Sequence, residues 1–272
     1  MSARRIALVA MHVFKESVRD RVLYAIAAFA VLLVAASILI GQITAGQDIK
    51  IIKDLGLATI ELAGIVMSIF VGIGLVSREI ERRSIFALLA KPLPRPEFIA
   101  GKYCGLVLTI AVNIAAMTVA LYIMLAFLDW RVLPAQRLGW DAPAIDPRLL
   151  VAVLLIAAET ALLTAVALFF STFSSSALLS LLFTLGVFVA GLFSGDLRHF
   201  GDIVEVSPSV AVLVSLLGWG LPAFSAFDVK AQVVHGVPVP PAFVVWTLGY
   251  AVAYIAGLLV ASIALFSRRE FE

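Results

Sequence analysis

The chain has 272 residues, 62% of them hydrophobic and only 14% charged, with a mean hydropathy of +1.09. A soluble domain carries about 25% charge, so the composition excludes an ordinary soluble globular protein and points to bilayer-length apolar helices. The net charge of +2 says little, because placement of charge matters more than its sum in such a chain, and the single Cys104 excludes a disulfide framework or zinc cluster within one chain.

The first 21 residues do not form a secretory leader. Arg4 and Arg5 resemble its basic start, but His12, Lys15, Glu16, Arg19, Asp20 and Arg21 interrupt the apolar run that must follow. Ile6, Val9, Val13 and Phe14 share one face at helical spacing. The pattern predicts an amphipathic helix lying in the membrane interface with its basic residues toward the headgroups, the alternative being a plain basic flank of the first span. Six apolar stretches then have the length that a hydrocarbon core demands: Val22–Ile40, Leu55–Val76, Tyr103–Leu128, Leu149–Phe170, Ala177–Phe193 and Phe243–Phe266. The expected fold class is all-α: a single polytopic membrane domain over the whole chain. The fifth stretch is short, and only Ser171 to Ser176 (STFSSS) separate it from the fourth, which predicts a tight helical hairpin. Its end, GLFSG, places Gly191 and Gly195 at the spacing that permits close helix contact.

Residues 203–222, IVEVSPSVAVLVSLLGWGLP, tempt a seventh span. Glu205 and Pro208 break its first turn, and Gly218, Gly220 and Pro222 break its end. Only Val210–Leu217 runs uninterrupted, which is too short to cross. Within the region 194–242 the segment therefore reads as a re-entrant or interfacial hairpin, tolerated only where protein covers its free backbone groups. The following LPAFSAFDVKAQVVHGVPVPP reads as a short polar helix and a stiff proline-rich entry into the last span. With both termini cytoplasmic, the Lys and Arg of 1–21, 77–102 and 268–269 fall inside and outnumber Lys50, Lys53, Arg131, Arg137, Arg148, Arg198 and Lys230 outside.

Between the second and third spans stands SREIERRSIFALLAKPLPRPEFIAGK. From Arg78 to Ala90 there is no Gly or Pro, so a helix of about three turns fits, with Ile80, Ile85, Leu88 and Leu89 near one face and Arg82 and Arg83 on another. Pro92, Pro94 and Pro96 end it and stiffen the link. A loop that only set topology would need the basic residues but not the apolar face or the proline strut. The combination suits a stiff handle on which another protein acts.

The run Glu79, Ser84, Ile85, Leu88, Leu89, Lys91, Pro92, Arg95, Glu97, Phe98, Gly101 and Lys102 resembles the loop between spans two and three in permease subunits of ABC-2 type transporters. LPAFSAFDVK, VVHG and the closing FSRREF are similar to a bacterial branch of these permeases, and the resemblance covers essentially the whole chain. It implies a cytoplasmic ATP-binding-cassette ATPase as partner, with ATP and Mg bound there and no cofactor in this chain. It implies a coupling helix within 78–102 that docks on that ATPase through Glu79, Arg82, Arg83, Ile85, Phe86, Leu88 and Leu89. It further implies a second permease copy, a homodimer by preference, in the bacterial inner membrane among membrane lipid, with no nucleic-acid partner. A hydrophobic or amphipathic cargo is preferred, since no ring of charge lines the spans. The competing reading is a membrane scaffold that recruits a partner through its outer hairpin without transport.

The chain has no phosphate-binding loop of its own: Gly101-Lys102 is followed by Tyr103, and Pro96 stands where the first glycine belongs. His12, His199 and His235 lack ligand spacing, and neither HExxH nor Gly-x-Ser-x-Gly occurs. No enzymatic activity is expected. Two carboxylates fall inside predicted spans, Glu61 and Glu159. Such residues cost about 2.5–3.5 kcal/mol on the insertion scale, so they face protein or a water-filled cavity. They are candidates for lining a translocation route or a helix interface, with Asn113 in the third span as a possible hydrogen-bonding partner.

Overall fold

The computed structural model describes residues 2–18, 48–81, 94–131, 140, 142–174, 176–198 and 207–268, with positions 28 and 32 besides. All the regular elements among them are helical: α1 (Ala3–Val18), α2 (Asp48–Glu81), α3 (Arg95–Arg131), α4 (Leu149–Phe173), α5 (Ala177–Leu192), α6 (Ser194–Arg198), α7 (Pro208–Gly220), a 3₁₀ turn (Phe224–Phe227), α8 (Lys230–Val234) and α9 (Pro241–Arg268).

Four of these, α2, α3, α4 and α9, are long and apolar enough to cross a membrane. They are the second, third, fourth and last predicted spans, each extended beyond its apolar run. Of the predicted first span, Val22–Ile40, only positions 28 and 32 are described. The fifth, α5, has 16 residues, or about 24 Å at 1.5 Å per residue, and is apolar but shorter than the others. The Ser-rich turn joins α4 to α5 as a tight hairpin. Ser174 N–H caps α4 on Phe170 O, and Ser180 Oγ bonds Ser176 O.

Small residues set the packing. A Cβ built on Gly64 would lie 2.7 Å from Thr160 Cγ2, and one on Gly72 2.7 Å from Ala167 Cβ. Two turns apart on α2, these glycines form a smooth seam against α4, with the two helices parallel. Ser68 Oγ stitches the seam by donating to its own Gly64 O and, at 3.1 Å, to Thr160 O. Gly56 faces Leu121 and Gly64 faces Ile114, so α3 runs antiparallel to α2. Continuing that register puts Glu81 level with Glu97, at one end of the bundle. Lys53, Asp48 and the 142–149 turn occupy the other. There Lys53 Nζ donates to Pro143 O at 2.7 Å, and Tyr122 Oη to Asp146 O at 2.8 Å. The core runs through all of this, from Ile52, Leu57, Ile60 and Met67 to Leu155, Leu163 and Phe224. At the Glu97 end a smaller cluster joins Ile99, Tyr103 and Leu168 to Phe266 of α9, whose ring stacks on Phe98 at 6.3 Å.

The N-terminal helix differs from the interfacial expectation in what covers its apolar face. Ile6, Val9, Val13 and Phe14 are turned toward α3, with Val13 buried, while Leu8 and Met11 are exposed. The reason lies in α3: a Cβ on Gly101 would meet Val9 Cβ at 2.7 Å, and one on Gly105 would meet Ala10 O at 2.6 Å. Two glycines one turn apart open a groove that α1 fills. Consequently Glu97 and Lys102 are not part of an exposed handle. Both are buried in α3; Glu97 Oε1 accepts from Ser2 N at 2.6 Å, with Arg5 Nη1 3.6 Å from Oε2.

Residues 207–240 build a bent helical element, either a broken span or a re-entrant loop, whose first helix is longer than Val210–Leu217. It runs through Gly218 to Gly220, because helical glycines there cost less than the packing returns. Gly218 is buried against the Leu197–Arg198 backbone. The chain then bends by 46° and returns through the 3₁₀ turn and α8. Phe224 and Phe227 insert into the core, against Gly191, whose added Cβ would stand 2.4 Å from Pro222 O.

Candidate functional site

Between the two ends of the bundle, charged side chains from three parts of the chain meet in one place. Glu61 lies on α2, eight residues past Lys53, and Glu159 lies one residue before the Thr160 that packs on Gly64. The parallel seam between α2 and α4 therefore brings the two carboxylates to the same level. Lys230, the first residue of α8, reaches them from the returning limb of the 207–240 element. Its ammonium forms an ion pair with Glu61 Oε2 and lies 3.3 Å from Asp228 Oδ1. Asp228 Oδ1 also accepts the Lys230 backbone N–H at 3.2 Å, which fixes the start of α8. Glu159 is only 2% exposed and lies close enough to Glu61 and Lys230 for their charges to act on it.

One ammonium thus faces two carboxylates, Glu61 and Asp228, with the buried Glu159 of α4 beside them. The Glu61 and Lys230 side chains are each 16% exposed, so the pair sits mostly away from water, where its attraction is weakly screened. A single opposite charge removed from such a pair leaves its partner uncompensated, which is strongly destabilising. The cluster has no serine, cysteine or histidine to act as nucleophile or base. Among the described residues no group of three or more His, Cys, Asp and Glu is placed to hold a metal ion. Its chemistry is electrostatic: it ties segments together.

The sequence candidates separate accordingly. Glu61 and Glu159 come together. Asn113 does not extend the network through its amide nitrogen, which donates to Thr109 O of its own helix at 2.9 Å. Of the proposed docking residues, Glu79 falls in the last turn of α2, and Arg82, Arg83, Ile85, Phe86, Leu88 and Leu89 lie outside the described residues. Lys230 and Asp228 are the partners that sequence reasoning missed. Their signal is faint but present: FDVK is an isolated opposite-charge pair between two apolar elements.

The 207–240 element is anchored at further points around this cluster. Tyr250 Oη of α9 accepts from Ala223 N at 3.0 Å, and Tyr254 Oη donates to Gly220 O. Arg148 donates to Gly236 O, where the backbone takes a positive φ of 71° that glycine adopts without a Cβ penalty. Arg198 Nε donates to Gly218 O at 3.1 Å, and its guanidinium covers the Trp219 ring at 4.6 Å.

Four long apolar helices, a shorter apolar helix and a bent helical element tied in by buried charge define a polytopic α-helical membrane protein. The ABC-2 family transporter protein profile matches residues 7–271, nearly the whole chain, and the chain belongs to that family. It is accordingly a permease component of an ABC transporter, a class that generally works with a cytoplasmic ATPase. No curated protein matches it closely enough to serve as a relative.

Proposed function

We propose that this chain is the membrane subunit of a transporter that moves a hydrophobic or amphipathic substrate, using ATP and Mg bound by a separate ATPase. The observation that carries the reading is the frame around residues 82–93. On one side α2 continues without interruption from the apolar core to Glu81; on the other α3 begins at Arg95 with Glu97 clamped beneath α1. A partner that displaces the segment between them acts directly on two membrane-length helices. The apolar positions Ile85, Phe86, Leu88 and Leu89, flanked by Glu79, Arg82 and Arg83, are the docking contacts in this reading.

Both termini are cytoplasmic and the membrane is the bacterial inner membrane. Support for a first span over Val22–Ile40 comes from its neighbours. Helix α1 lies along the first half of α3, whereas Asp48 starts α2 at the opposite end of the bundle. Two copies of the chain pair with two ATPase subunits, since each chain offers one docking segment.

The test is co-purification in detergent with the candidate ATPase, comparing wild type with the double variant Leu88→Asp plus Leu89→Asp. Wild type is expected to retain a stoichiometric ATPase with measurable hydrolysis, and the double variant to lose it while still inserting and dimerising. Equal capture by both would overturn the docking assignment. Capture by neither would leave the scaffold reading in its place.

A further inference from the structure

The Glu61–Lys230 pair joins two elements with different jobs. Glu61 belongs to α2, whose far end at Glu81 enters the proposed docking segment. Lys230 belongs to the element that folds back into the opposite half of the bundle, carrying Phe224 and Phe227 into the core. Glu81 lies 20 residues beyond Glu61 on an unbroken helix without proline, a rod of about 30 Å at 1.5 Å per residue. The rod's contact with α4 is smooth: Gly64 and Gly72 present no side chain to Thr160 and Ala167. At these two glycines the helices approach closely, and Ser68 Oγ, between them, donates across the seam to Thr160 O. At the level of Glu61 the contact changes character, becoming a charge cluster in which displacement separates buried opposite charges.

We propose that Lys230 is a positioning residue, and that its ion pair with Glu61 latches the 207–240 element to α2, so that movement of the docking segment is transmitted to that element. This rests on the transporter reading given above. Asp228 and Glu159 complete the latch. Asp228 holds the α8 backbone and shares the ammonium, giving Lys230 a second partner when Glu61 moves. Glu159, buried on α4 at the same level, flanks the pair from the other helix of the seam. The remaining anchors of the element are of another kind. Tyr250 and Tyr254 attach it to α9, and Arg148 to the turn preceding α4. Among the described residues, the charge cluster is the ion-pair attachment of the element to the helix that reaches Glu81, beside apolar packing of Val229, Val233 and Val234 in the shared core.

The experiment uses a Cys104→Ser chain carrying Val233→Cys, a position with 0% exposure on α8. Its rate of modification by a small water-soluble methanethiosulfonate is measured in the co-purified complex, nucleotide-free and with ATP plus vanadate. With Lys230 and Glu61 intact, modification is expected to be slow without nucleotide and at least about tenfold faster with it. Lys230→Met is expected to be fast in both states; Glu61→Gln, which keeps the shape and loses the charge, to shift in the same direction; and Lys230→Arg to restore slow, nucleotide-sensitive modification. A merely structural lysine would not show that nucleotide dependence or its rescue. A nucleotide-free rate unchanged by Lys230→Met overturns the latch, whether or not an ATPase has been captured. A fast Lys230→Met beside a nucleotide-insensitive parent, with the ATPase bound, overturns the transmission while leaving the docking assignment intact.

Discussion

At the scale of single residues, close approach is governed by glycines that the fold uses selectively. GLFSG offers two, Gly191 and Gly195, at the spacing of a helix contact. Only Gly191 is pressed: an added Cβ would lie 2.4 Å from the Pro222 carbonyl oxygen and 2.6 Å from the Phe224 ring, whereas one on Gly195 would meet nothing within 4 Å. Backbone cannot move aside as a flexible side chain can, so Gly191→Ala is expected to lower stability by about 1–3 kcal/mol through overpacking. Gly186→Ala, equally helical and with open space around it, is expected to be neutral or to stabilise by about 0.5–1 kcal/mol. Thermal unfolding of the purified variants in detergent measures both, and equal effects would remove the steric account. The spacing of the two glycines was legible in the sequence. Which of them bears a contact was not, because the atoms it meets come from Pro222 and Phe224, some thirty residues along the chain.

At the scale of elements, α1 shows how one sequence pattern fits two environments. An apolar stripe of Ile6, Val9, Val13 and Phe14 suits a headgroup boundary as well as a protein groove, since either removes it from water. The groove exists because Gly101 and Gly105 fall one turn apart on α3, and its mouth is closed by Glu97 receiving Ser2 N–H. Gly105→Leu is therefore expected to dislodge α1 and expose it to protease, with cleavage within residues 2–18 at least about tenfold faster while the long helices stay intact. The measurement is limited proteolysis followed by mass spectrometry of the fragments; an unchanged cleavage rate would show that α1 is held by something other than this groove. The same scale explains the length of α7. Glycines at 218 and 220 weaken a helix by about 1 kcal/mol each relative to alanine, which is why they read as a stop. Burial of Gly218 against α6 and the bond from Arg198 to its carbonyl repay that cost.

At the scale of the whole molecule, the polarity of the bundle is the quantity to test. Ser2, Glu97 and Phe266 mark one end; Lys53, Ile145, Arg148 and Gly236 mark the other. With cytoplasmic termini, Ile145→Cys in a Cys104→Ser chain is expected to react with a membrane-impermeant thiol reagent in intact spheroplasts. Ala3→Cys is expected to react only after permeabilisation. The reverse pattern would invert the orientation and move the docking segment to the wrong side for an ATPase.

The sequence by itself determined which of the described helices are long and apolar enough to cross a membrane. Transfer of an apolar run into hydrocarbon, and the obligation to satisfy every backbone polar group there, are local properties of about 20 residues. The second, third, fourth and last spans, the α4–α5 hairpin and the bend after residue 207 follow from composition alone. The local pattern around 77–102, with Glu79 through Lys102, also carried the family resemblance that the match over 7–271 bears out. Only the tertiary structure decided which residues meet. Glu61, Glu159 and Lys230 are separated by about a hundred and by about seventy residues in the chain, and nothing in their immediate neighbours distinguishes a paired charge from a solvated one. A glycine seam between two parallel helices and the return of one bent element bring them together. That pairing depends on register between distant segments, a property that no local stretch of sequence contains.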